Sequence, residues 1–432
     1  MRNIFDRSGG RTPAVLALAV LLLVPGLACS NVLDVELPGR IPTALLDDPT
    51  TAPTLAASVT ADFECAFSNY VVVTSMLGDD FLGASGNLNA KNWGTKKIYE
   101  DDTANEQNTC NDNQGFGAYT PLQTARFQSD DVLKRLSEWT DDQAKTSLAP
   151  LRAKVAVLGG FTYTLLGEGF CAMRLDEEKS IKTPAEVLAI AKTKFDAALP
   201  LVNDVADGAA KTELLNLLYV GRARTLLDLG DKPGAAADAA LVTPGFEFFV
   251  TRSVDATTRF NKPWYRMSEQ GHSSVDPAYR NLTVGSKPDP RVQVVAGPDV
   301  GLPPKAFDGV TDLYVVTNKN FSRADPMRLA SYVEAQLIRA EALGGAQAVS
   351  IINARRDQLQ LDEYTGPTDD ASITALILDE RNREFFMEGG QRYNDLLRYS
   401  IPWKVGNDQN GVPYGTTTCM PLPLSEKIAA GG

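Results

Sequence analysis

The sequence predicts a mainly α-helical fold, made of helical hairpins with long loops and a few short strands between them. Three observations predict it. Apolar residues recur every three or four positions through several stretches of helix length. Two of those stretches break at glycine and resume, as hairpins do. The segments between are dense in Gly, Pro, Asn and Asp and hold no long alternating run. The chain has 432 residues, enough for one large or two ordinary domains with a substantial core. A hydrophobic content of 44% and a charged content of 22% are those of an ordered globular chain.

Residues 1–28 read as a targeting segment. Basic residues up to Arg11 precede the apolar run Ala14–Val24, which is too short for a bilayer needing about 20 residues but suits a signal-peptide core. From Cys29 to residue 54 the chain is rich in Pro, Asp and Thr and reads as a tether. A single domain is expected over 55–432. It opens with a helix from Leu55 to Met76, closed by Gly78. Residues 83–117 have little periodicity and read as a loop-rich insertion.

Helical hairpins are expected over 118–241, with helices at Ala118–Leu136, Asp141–Leu166, Pro184–Leu199, Lys211–Gly230 and Pro233–Leu241. Pro184 suits a first turn, where its missing N–H is not needed. The run from Tyr219 to Leu241 resembles a tetratricopeptide unit, with Gly221 and Ala223 allowing close helix approach and Gly230-Asp231 turning the chain. A second copy is read at Met327–Arg356, within a second hairpin region at 327–399. Between them, 244–323 reads as irregular structure with short strands near Arg291–Val295 and Leu313–Val316.

Net charge is −12, from 42 basic and 54 acidic side chains. The first 28 residues set three arginines against Asp6, so the remainder carries −14. An acidic body excludes the basic footprint that nucleic acid demands. Beyond Cys29, four cysteines remain: Cys65, Cys110, Cys171 and Cys419. In an exported chain they imply two disulfides, with three connectivities open. The pairing Cys65–Cys110 with Cys171–Cys419 is favoured, because the first closes a loop-rich stretch and the second ties down the tail. No metal is expected: a short Cys-x-x-Cys spacing is absent, His272 is the single histidine and reads as a solvated loop residue, and Asn111–Gly115 lacks a calcium-loop pattern. No phosphate loop or nucleophile elbow is present, and no cofactor or catalytic residue is assigned.

The densest pattern is Asp379–Arg398, where charge and aromatic residues alternate around Gly389-Gly390. Leu376, Ile377 and Phe385 fall on one helical stripe, Arg381 and Glu384 are spaced to pair, and Asp395 lies three residues from both Arg392 and Arg398. Such a mixture implies a buried ionic joint. Glu380, Arg381, Arg383, Glu384, Phe385, Glu388, Gly389, Arg392, Tyr393, Asp395, Leu396, Leu397 and Arg398 together resemble the hallmark segment of the SusD/RagB family, and Asp289-Pro290-Arg291 resembles a shorter motif of that family.

The resemblance implies a SusD-like, lipid-anchored receptor on the outer face of an outer membrane. It would capture a nutrient for a TonB-dependent β-barrel transporter, with an oligosaccharide or peptide as ligand. Ala28-Cys29 then resembles a lipobox, with Cys29 the lipidated residue and Gly26 standing where leucine is usual. A sugar receptor needs exposed aromatic plates beside amides and carboxylates. Trp93, Tyr99, Trp264, Tyr265 and Tyr279 stand in polar loops and are the candidate plates. Two other readings compete: an exported glycan hydrolase, which needs a converging acid pair, and a tetratricopeptide-type adaptor that binds only protein.

Overall fold

The computed structural model describes residues 45–111, 116–176 and 179–431. The signal segment, Cys29 and most of the tether lie outside the described residues, as do 112–115 of the Asn111–Gly115 stretch. Residues Asp48–Gly432 form one unit.

The first helix, α1 (Ala52–Leu77), starts three residues earlier than expected, because Pro53 occupies its first turn. It is buried on nearly every side from Phe63 onward. Around it pack α2 (Tyr119–Glu138) and α3 (Ala149–Gly169), followed in turn by α4 (Pro184–Asn203), α5 (Ala209–Asp228) and α6 (Lys232–Ala239). The expected helix from Asp141 is broken. A single turn at Asp141–Ala144, capped by Thr140 and Gln143, ends at Lys145 in the left-handed region, and α3 restarts with Pro150 in its first turn. Small residues set the spacing: a Cβ on Gly221 would meet the Phe195 ring at 2.5 Å and the Phe161 ring at 2.7 Å.

The second tetratricopeptide-like unit begins later than expected, since Met327–Ser331 is a strand. Helices α7 (Tyr332–Leu343) and α8 (Gly345–Gln358) follow, joined at Gly344 and Gly345, both at positive φ. The Ser331 hydroxyl accepts the Glu334 N–H at 3.1 Å and caps α7. Helix α6 packs on α7, so the two units adjoin. Helices α9 (Asp370–Glu384) and α10 (Gln391–Arg398) complete the frame. Leu376, Ile377 and Phe385 do share a face, and with Leu337 and Ile352 they form a second, smaller core.

Strands are short and pair in twos. β1 (Phe81–Gly83) lies antiparallel to β5 (Ser273–Val275), and β2 (Met173–Arg174) to β3 (Ile181–Lys182). β4 (Glu247–Val250) lies against β10 (Met327–Ser331), with a bulge between Arg328 and Ala330. β6 (Thr283–Val284) pairs with β7 (Lys287–Pro288), and β8 (Val294–Ala296) with β9 (Tyr314–Val316). The 83–117 insertion is less irregular than expected. It holds two short helices, Leu88–Gly94 and Thr103–Gln107, each started by a side-chain cap from Asn87 or Asp102. The tail returns over the body and ends in α11 (Leu424–Ala430).

Both favoured disulfides are present. Cys65–Cys110 ties α1 to the 83–117 insertion, and Cys171–Cys419 ties the tail to the end of α3. No described helix is long and apolar enough to cross a membrane.

Candidate functional site: an aromatic loop surface beside an ionic frame

The hallmark segment builds the frame. Gly389 and Gly390 take φ of 55° and 71°, and a Cβ on Gly390 would meet the Tyr70 ring at 2.7 Å, so only glycine fits this approach to α1. Arg381 donates to Asp395 at 2.8 Å and to Gln391 at 2.8 Å, while Arg398 reaches Asp395 at 3.0 Å and Glu341 at 2.9 Å. Glu380 is clamped by Arg291 and Arg356, each at 2.5 Å, and Asp289 by Arg291 at 2.8 Å. Arg224 of α5 holds Glu168 of α3 and donates to the Gly389 carbonyl at 2.7 Å. The ionic joint is therefore buried, as its sequence implies, but two pairings differ. Arg381 and Glu384 bind partners on other elements, and Asp395 pairs with Arg381 and Arg398 while Arg392 does not reach it. Helical spacing within a segment does not report the partners that packing brings from elsewhere.

One face of this frame borders a cavity of about 460 Å³ beneath the 318–326 loop. Glu384 and Glu388 converge there, but both carboxylates are occupied. Arg355 binds Glu384 at 2.9 Å, and Arg328 and Lys319 each bind Glu388 at 2.7 Å. Although burial raises its carboxyl, Arg355 and Arg328 hold Glu384 below the usual carboxylate range, so it keeps no proton to donate near neutrality.

The exposed rings lie on the loops instead. Asn261 fixes the first group: its side chain accepts the Trp264 N–H at 3.1 Å and donates to Asn320 at 2.7 Å, and its own N–H meets the Arg323 carbonyl at 2.8 Å. This joins the 318–326 loop to the π-turn Tyr265–Glu269. Trp264 and Tyr265 are half-buried there, and Phe321 is 60% exposed. Arg323 lies over the Phe260 ring at 4.6 Å and the Tyr265 ring at 5.7 Å, with Glu269 as its ion-pair partner.

A second group follows along the same turn. Phe307 is 63% exposed, its ring 4.3 Å from that of His272. Its N–H donates to the Gly271 carbonyl at 2.8 Å, and the next residue, Asp308, donates its N–H to the Ala84 carbonyl at 3.1 Å. Asp308 accepts from Asn410 at 3.0 Å, and Gln409 donates to the Gly83 carbonyl at 2.7 Å. Four loops thus converge around one open ring, with amides and a carboxylate beside it.

His272 is buried rather than solvated. Its Nδ1 lies 2.8 Å from the Ser85 hydroxyl, and burial with the Arg266 charge pushes its pKa down to about 4. It is a neutral prop for Phe307.

Of the five candidate plates, Tyr99 is open (57% exposed), and Trp264 and Tyr265 are half-buried. Trp93 and Tyr279 are buried. Trp93 is 0% exposed because the short helix Leu88–Gly94 turns it inward against Phe116, and Tyr279 is 3% exposed, packed on Phe386 at 4.3 Å. A polar neighbourhood in sequence hid a local helix in one case and a 3-10 turn in the other. Phe307 and Phe321 were missed. Each is a lone aromatic in a polar loop, the same signal that marks Tyr99.

No family model matches the chain, and no curated protein matches it. Solved structures do. Surface glycan-binding protein A from Bacteroides thetaiotaomicron superposes with a TM-score of 0.66 at 15% identity, covering 88% of this chain and 97% of that one. A SusD superfamily protein from Bacteroides fragilis gives 0.64 at 16%, covering 88% and 98%. A laminarin-binding SusD-like protein gives 0.63 at 15%, covering 87% and 97%. The buried ionic joint of residues 379–398, the paired helical hairpins and these superpositions agree: the chain has a SusD-like fold.

Proposed function

We propose that this protein is a surface-exposed, glycan-binding receptor that serves as the lid of a TonB-dependent outer-membrane transporter, held to the membrane through a lipid on Cys29. The observation that carries the reading is the SusD-like fold across nearly the whole chain, whose superposing structures include glycan-binding proteins, one in complex with laminarihexaose. The open rings of Phe307 and Phe321, with half-buried Trp264 and Tyr265 and with amides and carboxylates beside them, supply the surface that a sugar's C–H face and hydroxyl rim would use.

The hydrolase alternative loses ground at the cavity, where the converging acids Glu384 and Glu388 are each held by a cation. No catalytic turnover is proposed. The test is calorimetry of the mature protein against laminari-, cello-, malto- and chitohexaose, with a reducing-end assay on the same mixtures. Binding of at least one sugar without new reducing ends is expected. New reducing ends, or no binding to any member, would overturn the receptor reading. The anchor is tested separately, by acyl labelling in cells that is lost in Cys29→Ser.

A further inference from the structure

Tyr99 belongs to neither group of rings described above. It lies on the wall of a separate open groove of about 560 Å³, between the 98–101 segment and the returning tail at 416–424. Both walls are fixed by backbone bonds. The Gly415 N–H reaches the Thr95 carbonyl at 2.7 Å, Thr417 N–H the Lys96 carbonyl at 3.1 Å, and Leu424 N–H the Glu100 carbonyl at 2.8 Å. The Thr417 hydroxyl bonds both Ile98 N–H and Ile98 carbonyl at 3.1 Å, and the Cys171–Cys419 disulfide closes one end.

What the walls leave unused is informative. The Thr416 and Thr418 hydroxyls and the Asp101 carboxylate make no side-chain hydrogen bond to the described residues. An open phenol ring therefore stands beside two hydroxyls and a carboxylate on walls tied to each other by backbone hydrogen bonds. A ligand with an apolar face and a hydroxyl rim matches that set. A protein anchor would want a deeper apolar floor, and a cation would want a cluster of three or more ligating side chains, which is absent among the described residues.

We infer that this groove is a second saccharide-binding site, with a pyranose stacked on Tyr99 and its hydroxyls bonded by Thr416, Thr418 and Asp101. The inference rests on the glycan-binding reading but not on the location of the loop-surface site. Two sites on one compact unit would let a polymeric glycan be held by avidity, each site weak alone.

The experiment is calorimetry with whichever of the four hexasaccharides binds the wild type, plus retardation in gels carrying the corresponding polysaccharide. Tyr99→Ala, at an exposed position, should fold normally by circular dichroism. It should remove one of two binding equivalents and weaken gel retardation about fivefold to tenfold. Tyr99→Phe, which keeps the stacking face, should stay within about twofold of wild type, whereas Thr416→Val with Thr418→Val should behave like Tyr99→Ala. Wild-type binding that is unchanged in Tyr99→Ala overturns the second site and leaves the receptor reading standing. Loss of all binding in Tyr99→Ala keeps the groove and removes the loop-surface site instead. No binding to any sugar by the wild type overturns both.

Discussion

The hallmark segment and the 261–323 loops treat their distinctive residues in opposite ways. Around residues 379–398 the charges are buried and almost every one has a partner on a different element: Arg381 with Asp395, Glu380 with Arg291 and Arg356, Arg398 with Glu341. On the loops Phe307 and Phe321 are left open and Trp264 and Tyr265 half-buried, and the backbone hydrogen bonds that fix these loops leave the side chains of Phe307 and Phe321 facing outward. The difference teaches that the most recognisable part of this sequence is the part that holds the fold. The part proposed to meet a ligand carries no pattern beyond single aromatics in polar loops.

The sharpest way to break that division is to remove one charge of the frame. Arg381→Ala takes from buried Asp395 one of its two arginines, leaving Arg398 alone to hold the charge, and leaves the buried Gln391 side-chain oxygen without its donor. A loss of roughly 3–5 kcal/mol is expected, read as a shifted urea midpoint. If Arg381→Ala instead folded as stably as wild type and lost glycan binding, the frame itself would be the site.

Next in size is the covalent clasp. Cys171→Ser with Cys419→Ser frees the tail from α3 and should cost about 2–4 kcal/mol under oxidising conditions. The effect should vanish when wild type and variant are compared in reductant. The tail also supplies one wall of the Tyr99 groove, so this variant should lose affinity there before it loses the loop-surface rings.

A titration separates groups within the interior. Burial pushes the Asp80 carboxyl up to about 7, against partial relief from Tyr279, Ser75 and the Met387 N–H. Asp395, by contrast, is held below the usual range by Arg381 and Arg398 despite its burial. The signs are opposite. The folded protein binds the Asp80 proton more tightly than the unfolded chain, so this group's contribution is greatest below about pH 4 and declines as pH rises to about 7. Asp395 contributes above about pH 4 and that contribution is lost on acidification. Asp80→Asn should therefore flatten the stability profile between about pH 4 and 7, by up to a few kcal/mol, and leave the acid limb in place. A profile whose neutral limb is unchanged in Asp80→Asn would show that Asp80 is ionised in the native state.

Much of the frame was legible because helices announce themselves twice, by period and by stop signals. Gly78, Gly230 and Gly389-Gly390 all mark real ends or turns, and the stripe Leu376, Ile377, Phe385 is a real core face. The ionic partners were not legible. Glu380 meets Arg291 across 89 positions and Arg398 meets Glu341 across 57, distances over which local spacing carries no information. The rings failed for a related reason. Whether Trp93 or Trp264 is open depends on how a short helix is seated against residues far away, Phe116 in one case and, through the Asn261 cap, Asn320 in the other. Exposure is a tertiary property, so a lone aromatic in a loop is a candidate and no more.

The smallest effect on stability, and the sharpest test of the division, belongs to Phe307. Its ring is open on one side and rests on His272 on the other, so Phe307→Ala removes little buried area and should cost about 1 kcal/mol or less. The convergence of loops beneath it is held by the Phe307 and Asp308 N–H groups and by Asp308 with Asn410, none of which the substitution touches. A receptor that uses this ring should therefore keep its urea midpoint and lose about tenfold or more in affinity for its sugar, the worth of a good aromatic contact. Trp93→Ala makes the opposite expectation explicit. Emptying a fully buried indole site should cost about 3–5 kcal/mol, while any loss of affinity should disappear once the folded fraction is accounted for. Equal losses of affinity per folded molecule in the two variants would erase the distinction between frame and surface, because a ring sealed in the core would then be acting on the ligand as strongly as one facing it.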